Sequence, residues 1–212
     1  TGLPPGQSSG RSTAAVDMQW QPVSARPPAR WQLAAVAGRL IEISGGPTGA
    51  ALTLAFRLLL EAQQQAEPTA WITSRNSLFF PPDAETSGID LAARAVVRAD
   101  APTGVARAAE HLLRSGAFGL VTMDLGENAA LPPHAQIRLA AQARQHAAVL
   151  LCLTEKESQH PSLGSLVSLR AHTSRPQRQN GTIHCQASIL KDKRRGPGWR
   201  HMEVCRGPDG LC

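Results

Sequence analysis

The spacing of apolar positions divides the chain into a regular first part and a differently patterned end. Arg39-Leu-Ile-Glu-Ile-Ser44 is a short β-branched run with Gly45-Gly46-Pro47 directly behind it, which predicts a strand followed by a loop. Leu52-Thr-Leu-Ala-Phe-Arg-Leu-Leu-Leu60, running into a glutamine stretch, predicts a long helix over roughly 50–66 that Pro68 stops. Thr69-Ala-Trp-Ile-Thr73 reads as a second strand, and Asp90 to Val97 carries the chain into a third. Val105, Ala108, Ala109, Leu112 and Leu113 recur at the period of one helix face, and Ser115-Gly116 ends that helix. Gly119-Leu-Val-Thr-Met-Asp124 is an apolar strand closing on a carboxylate. Pro132-Pro133 opens a further helix to about His146, with Ile137, Ala140 and Ala141 expected to face inward. Ala148 to Thr154 is a buried strand. After Gly164 the pattern alternates, so Leu166 to Ala171 and Thr182 to Lys191 are predicted strands joined by the polar stretch Ser174 to Gly181.

Strands alternating with helices pair in parallel through right-handed crossovers, and wholly apolar strands suit a sheet covered on both faces. The expected fold is therefore α/β, a doubly wound, mostly parallel sheet with helices on both faces and a C-terminal β extension. Residues 1–37, rich in Pro, Gly, Ser and Arg, read as a flexible arm, 38–197 as the core, and 198–212 as a basic tail. No repeat of 20–50 residues runs through the chain, which argues against a solenoid.

Composition adds limits. In 212 residues, 42% apolar content suffices for a core, and no apolar stretch approaches the length of a membrane span. Thr1-Gly2-Leu3-Pro4-Pro5 has neither a basic nor an apolar signal region, so a secretory signal and a membrane partner are not expected. Four scattered cysteines do not make a disulfide framework, and a reducing, cytoplasmic setting is the expectation. A zinc set of His184, Cys185, His201 and Cys205 matches no common ligand spacing. Charge placement is more informative than its total of +6. Residues 1–169 carry 13 basic and 13 acidic side chains, whereas residues 170–212 carry nine basic against three acidic. A neutral body with a basic end suits nucleic acid or an acidic protein, or is simply a solvated tail.

Ligands of such sheets bind at the carboxyl ends of the strands. The turn there is Gly45-Gly46-Pro47-Thr48-Gly49-Ala50-Ala51-Leu52-Thr53, where a phosphate-binding loop belongs. Asp124 stands where a Mg²⁺-organising aspartate belongs, with a solvated strand-end acid as the alternative. A working loop needs Gly-x-x-x-x-Gly-Lys-Ser/Thr: glycines for tight wrapping, lysine for the β- and γ-phosphates, a hydroxyl for Mg²⁺. Counted from Gly45, the last three positions are Ala50, Ala51 and Leu52, and no lysine or arginine lies between Arg39 and Arg57.

In this order the segments resemble the RecA recombinase core over roughly 38–197. Arg39 to Gly45 is similar to the strand entering its phosphate loop, and Ala70-Trp-Ile-Thr with Pro81 to Leu91 is similar to the next strand and helix. Ala108 to Asp124 is similar to its helix and aspartate strand, and Ile189-Leu-Lys-Asp-Lys193 to the segment whose lysines reach a neighbouring protomer's nucleotide. Under the resemblance, the general-base glutamate falls on Arg75 and the γ-phosphate-sensing glutamine near Glu155. Losing lysine, hydroxyl and base together implies no ATPase and no cofactor, because a missing base alone costs about 10²–10⁴-fold in rate. Degeneracy, size and the tail ending Cys205-Arg-Gly-Pro-Asp-Gly-Leu-Cys212 resemble the ImuA (SulA-like) family of RecA-like accessories in SOS mutagenesis. That resemblance implies RecA and the ImuB polymerase-like adaptor as partners, and through ImuB the replicative-type translesion polymerase. Lys191, Lys193, Arg194, Arg195, Trp199 and Arg200 are the expected partner or DNA contacts, with weak DNA binding through 170–212 as the alternative. Phe79-Phe80 reads as a buried aromatic pair or a partner anchor.

Overall fold

The computed structural model describes residues 1–2, 30–46, 49–73, 81–99, 102–127, 129–175, 178–179 and 182–206. The phosphate-loop positions Pro47 and Thr48, the base position Arg75 and the pair Phe79-Phe80 lie outside the described residues.

The elements run α1 (Leu33–Val36), β1 (Arg39–Ser44), α2 (Ala51–Gln64), β2 (Thr69–Thr73), α3 (Pro81–Thr86), β3 (Arg94–Arg98), α4 (Pro102–Arg114), β4 (Leu120–Gly126), α5 (Pro133–Gln145) and β5 (Val149–Thr154). Four strands close the chain: β6 (Leu169–Ser174), β7 (Arg178–Gln179), β8 (Thr182–Asp192) and β9 (Arg200–Arg206). All belong to one sheet ordered β3-β2-β4-β5-β1-β6-β8-β7, with β9 paired to β8. The first six strands are parallel, and β8 runs antiparallel to β6, β7 and β9. This is the α/β architecture expected from the alternation of patterns.

Strand periodicity sorts the core into two faces. Ile41, Ile43, Leu120, Leu151 and Leu153 pack with α1 and α2, whereas Leu40, Ile72, Val121, Met123, Leu150 and Cys152 pack with α4 and α5. Central strands β1 and β5 are buried at every position, which explains their unbroken apolar runs. Burial likewise pushes the Cys152 thiol up, Glu42 adding to the effect, so this cysteine packs as a small hydrophobe.

Three expectations need correction. Ile137 is 61% exposed and Ala141 is exposed too, with Ala140 half-buried: α5 buries Ala135, Gln136, Leu139 and Ala143 instead. Its inward face is rotated because the Gln136 amide donates to Leu131 O (2.7 Å) and Leu163 O (3.0 Å), which a buried glutamine requires. The folded body also extends past 38–197 at both ends. Trp31 is 2% exposed and donates to Leu54 O, so part of the proline-rich arm packs on α2. Arg200–Arg206 within the tail is strand β9. Its alternation was masked by the charged and polar residues that mark a solvent-facing strand.

Candidate functional site

Between the end of β1 and the start of α2 the backbone turns sharply. Gly45 N donates to Thr154 O, and Gly49 N to Gly46 O at 2.7 Å. A Cβ on Gly49 would lie 2.9 Å from Gly46 O and 3.0 Å from Gly45 Cα, so only glycine fits without displacing backbone. Ala50 and Ala51 are buried at the opening of α2, and Leu52 and Thr53 are half-buried.

Two groups from the C-terminal half lie against the turn, the Thr173 hydroxyl buried and the Glu157 carboxylate half exposed. The Thr173 hydroxyl accepts from Ala50 N (3.2 Å) and donates to Ser44 O (3.1 Å), joining the end of β1 to the start of α2. A Cβ on Gly45 would collide with this hydroxyl, and one on Gly46 would collide with Glu157 Oε1. A carboxylate therefore rests against Gly46, its other oxygen 4.0 Å from His172 Nε2. Thr173→Val keeps the shape but leaves Ala50 N without its acceptor in a buried place. We expect about 1–2 kcal/mol lower stability in urea unfolding, and a smaller loss for Thr173→Ser.

Asp124 lies at the end of β4 beside Leu153, on the face that packs against α2. It is 1% exposed, so the solvated strand-end reading is corrected. The parallel sheet thus brings Asp124 and the turn to the same end and the same face. Glu155 follows β5 there, its N–H donating to Gly126 O.

The loop carrying Glu155 and Glu157 is held by a buried charge cluster that sequence reasoning missed. Glu42, on β1, accepts from Thr154 Oγ1 (3.3 Å), Ser162 Oγ (2.7 Å) and Leu163 N (3.0 Å), and lies 3.9 Å from Arg170 Nε. The Arg170 guanidinium also donates to the carbonyls of His160 and Glu157. The signal was a lone acid inside an apolar strand, but its partners are more than 110 residues away.

The expected contact residues lie at the other end. Because β8 runs antiparallel to β6, it delivers Lys193 to the start of the parallel strands, where Lys193 N donates to Ser168 O and Arg194 Nη2 to Ala37 O. With about 3.3 Å per residue, six-residue β1 separates this basic turn from Gly45 by roughly 20 Å. Lys193, Arg194, Arg195 and Arg200 are exposed. Lys191 is not: its ammonium donates to Gly164 O (3.2 Å) and Ser165 O (3.3 Å), and burial, then Lys193, holds its pKa below the ordinary lysine value. Trp199 packs on the α2-side core and donates to Asp192 Oδ2 at 3.2 Å, so its ring is engaged internally. His184 and Cys185, adjacent on β8, point to opposite faces and do not converge as metal ligands. No helix among the described residues is long and apolar enough to cross a membrane.

The family model for the RecA N-terminal domain matches residues 34–153, more than half of the chain. The chain is 35% identical over 100 residues to Protein RecA of Fusobacterium nucleatum, covering 47% of this chain and 26% of the relative. It is 32% identical over 124 residues to Protein RecA of Cytophaga hutchinsonii, covering 55% and 34%. To Protein RecA of Bacillus subtilis it is 33% identical over 100 residues, covering 47% and 28%. The chain thus spans about a quarter to a third of the length of these curated relatives. Thr173, Glu157 and the basic turn all fall beyond the matched segment.

Proposed function

Because the chain belongs to the RecA N-terminal domain family, we propose that it is a non-catalytic RecA-like accessory protein of SOS-induced translesion DNA synthesis, acting by contact with RecA and the ImuB polymerase-like adaptor. The observation that carries this reading is the turn after β1, which lacks the phosphate-binding side chains and has Thr173 and Glu157 against it. Where a triphosphate needs a lysine and a hydroxyl, the chain has Ala50, Ala51 and Leu52. The N–H of Ala50 is taken by Thr173, and Glu157 sets a carboxylate against Gly46. Each charged hydrogen bond that is missing forfeits about 1.5–3 kcal/mol, and a carboxylate close to a triphosphate adds repulsion. A domain keeping the family's sheet can take a protomer-like place beside RecA while contributing no hydrolysis, and needs no cofactor to do so.

Two measurements test this. A ligand that binds the native state raises its melting temperature by mass action, so full-length protein with millimolar MgATP is expected to show no shift and no phosphate release. Immobilised protein is expected to retain purified RecA or ImuB. A reproducible upward shift, turnover, or failure to retain either protein overturns the reading.

The exposed cations Lys193, Arg194, Arg195 and Arg200 favour a second reading, a DNA-binding module. Phosphate contacts make log K fall steeply with log salt, whereas an apolar protein interface is nearly indifferent to salt. A steep slope with single-stranded DNA that flattens on substituting these four residues selects the second reading.

A further inference from the structure

Among the described residues the sheet has two outer strands, β3 and β9. Strand β3 has five residues, with Arg94 buried and Val96 and Arg98 exposed. Strand β9 has seven residues and pairs only with β8 among the described residues. Its outward row holds Met202 and Val204, 61% and 60% exposed, with no helix over them among the described residues. The opposite row holds His201 and Glu203 on the side facing α2, where Arg57 Nε meets Glu203 Oε1 at 3.1 Å. His201 Nε2 and Glu203 Oε2 are shielded from water and have no hydrogen-bond partner among the described residues. At 3.8 Å apart, they are too distant to satisfy each other. An edge strand with two exposed apolar side chains, and two water-shielded polar atoms that lack hydrogen bonds among the described residues, is an incomplete surface.

From these features we infer that β9 is a self-association edge, and that its occupant is β9 of a second copy, paired antiparallel about a twofold axis through Met202. The register is selected by the residues themselves. Centred on Met202, it sets His201 opposite Glu203 of the second copy and Glu203 opposite its His201, so each atom without a hydrogen bond faces a complementary polar group across the strands. On the other face it joins two Met202 and two Val204 side chains into one apolar patch flanked by Arg200. Centred instead on Glu203, the pairing would oppose two carboxylates. Such an isologous contact closes on itself and makes a dimer, not a fibre. A single strand pair buries less than the roughly 800 Å² per partner of a tight interface, so the dimer forms at micromolar or higher concentration. This inference does not depend on the proposed function.

Sedimentation of the full chain over about 5–500 μM is expected to show mass rising towards twice the monomer value. Met202→Lys and Val204→Lys, both on exposed positions, are expected to hold it monomeric with an unchanged melting temperature. Register is read separately by oxidative cross-linking in a Cys205→Ser, Cys212→Ser background. Directly opposed residues of antiparallel strands have Cα atoms about 4.5–5.5 Å apart, within disulfide range. Met202→Cys is therefore expected to cross-link, and Val204→Cys, whose counterpart is four residues away along the strand, is not. A monomer at every concentration, a dimer indifferent to both lysine variants, or cross-linking through Val204→Cys in preference to Met202→Cys overturns the inference.

Discussion

Replacing Asp192 by alanine is expected to lower folding stability by about 3–5 kcal/mol. Breaking a buried ion pair strands the remaining charge in a low-dielectric place. Arg39 and Asp192 meet at 2.7 Å with side chains 3% and 0% exposed. Asp192 also accepts from Arg194 N (2.9 Å) and Trp199 Nε1 (3.2 Å), so one carboxylate ties the start of β1 to the β8–β9 turn. Burial pushes this carboxyl up, but the bonds from Arg194, Arg39 and Trp199 outweigh it and hold its pKa below the ordinary aspartate value. The sign follows: the unfolded carboxyl titrates near 3.9, the folded one lower. The contribution is complete above about pH 5 and is lost as pH falls towards the folded pKa. Chemical denaturation at pH 7 and near pH 3 checks both: the wild-type advantage over Asp192→Ala should be full at the first and reduced at the second. Asp192→Asn should recover part of the loss, because the amide oxygen still accepts.

Removal of Glu42 is expected to cost nearly as much, about 3–5 kcal/mol for Glu42→Ala, but with its structural effect at the opposite end of the sheet. The Arg170 guanidinium would lose its countercharge while still bonded to the His160 and Glu157 carbonyls, and Ser162 Oγ and Leu163 N would lose their acceptor. Hydrogen exchange should therefore accelerate over 155–168 in Glu42→Ala, and around 193–199 in Asp192→Ala. Equal acceleration of both segments in both variants would show that the two pairs stabilise the fold globally and do not anchor their own ends. Because the Glu42-held loop delivers Glu157 to Gly46, Glu42→Ala should also loosen the turn after β1.

The phosphate-loop remnant and the two buried pairs show different kinds of legibility. The turn was readable because its residue types and spacing are local: Gly45, Gly49 and the absent lysine lie within ten positions of one another. Asp124 was readable for the same reason, as an acid closing an apolar run. Thr173 was not, since a threonine in an alternating strand is ordinary until β6 is laid beside β1. Lys191 and Trp199 were singled out for their chemistry, yet the fold engages both internally. Arg194 and Arg195 are exposed, Arg194 also donating to Ala37 O.

By itself, the sequence determined the strand–helix alternation from β1 to β5, the parallel sheet and the aliphatic opening of α2, because period and residue type are properties of neighbours along the chain. Tertiary structure alone decided which charges are buried and what lies against the turn. Those outcomes depend on groups brought together across more than a hundred residues, and no local pattern encodes a distance of that kind.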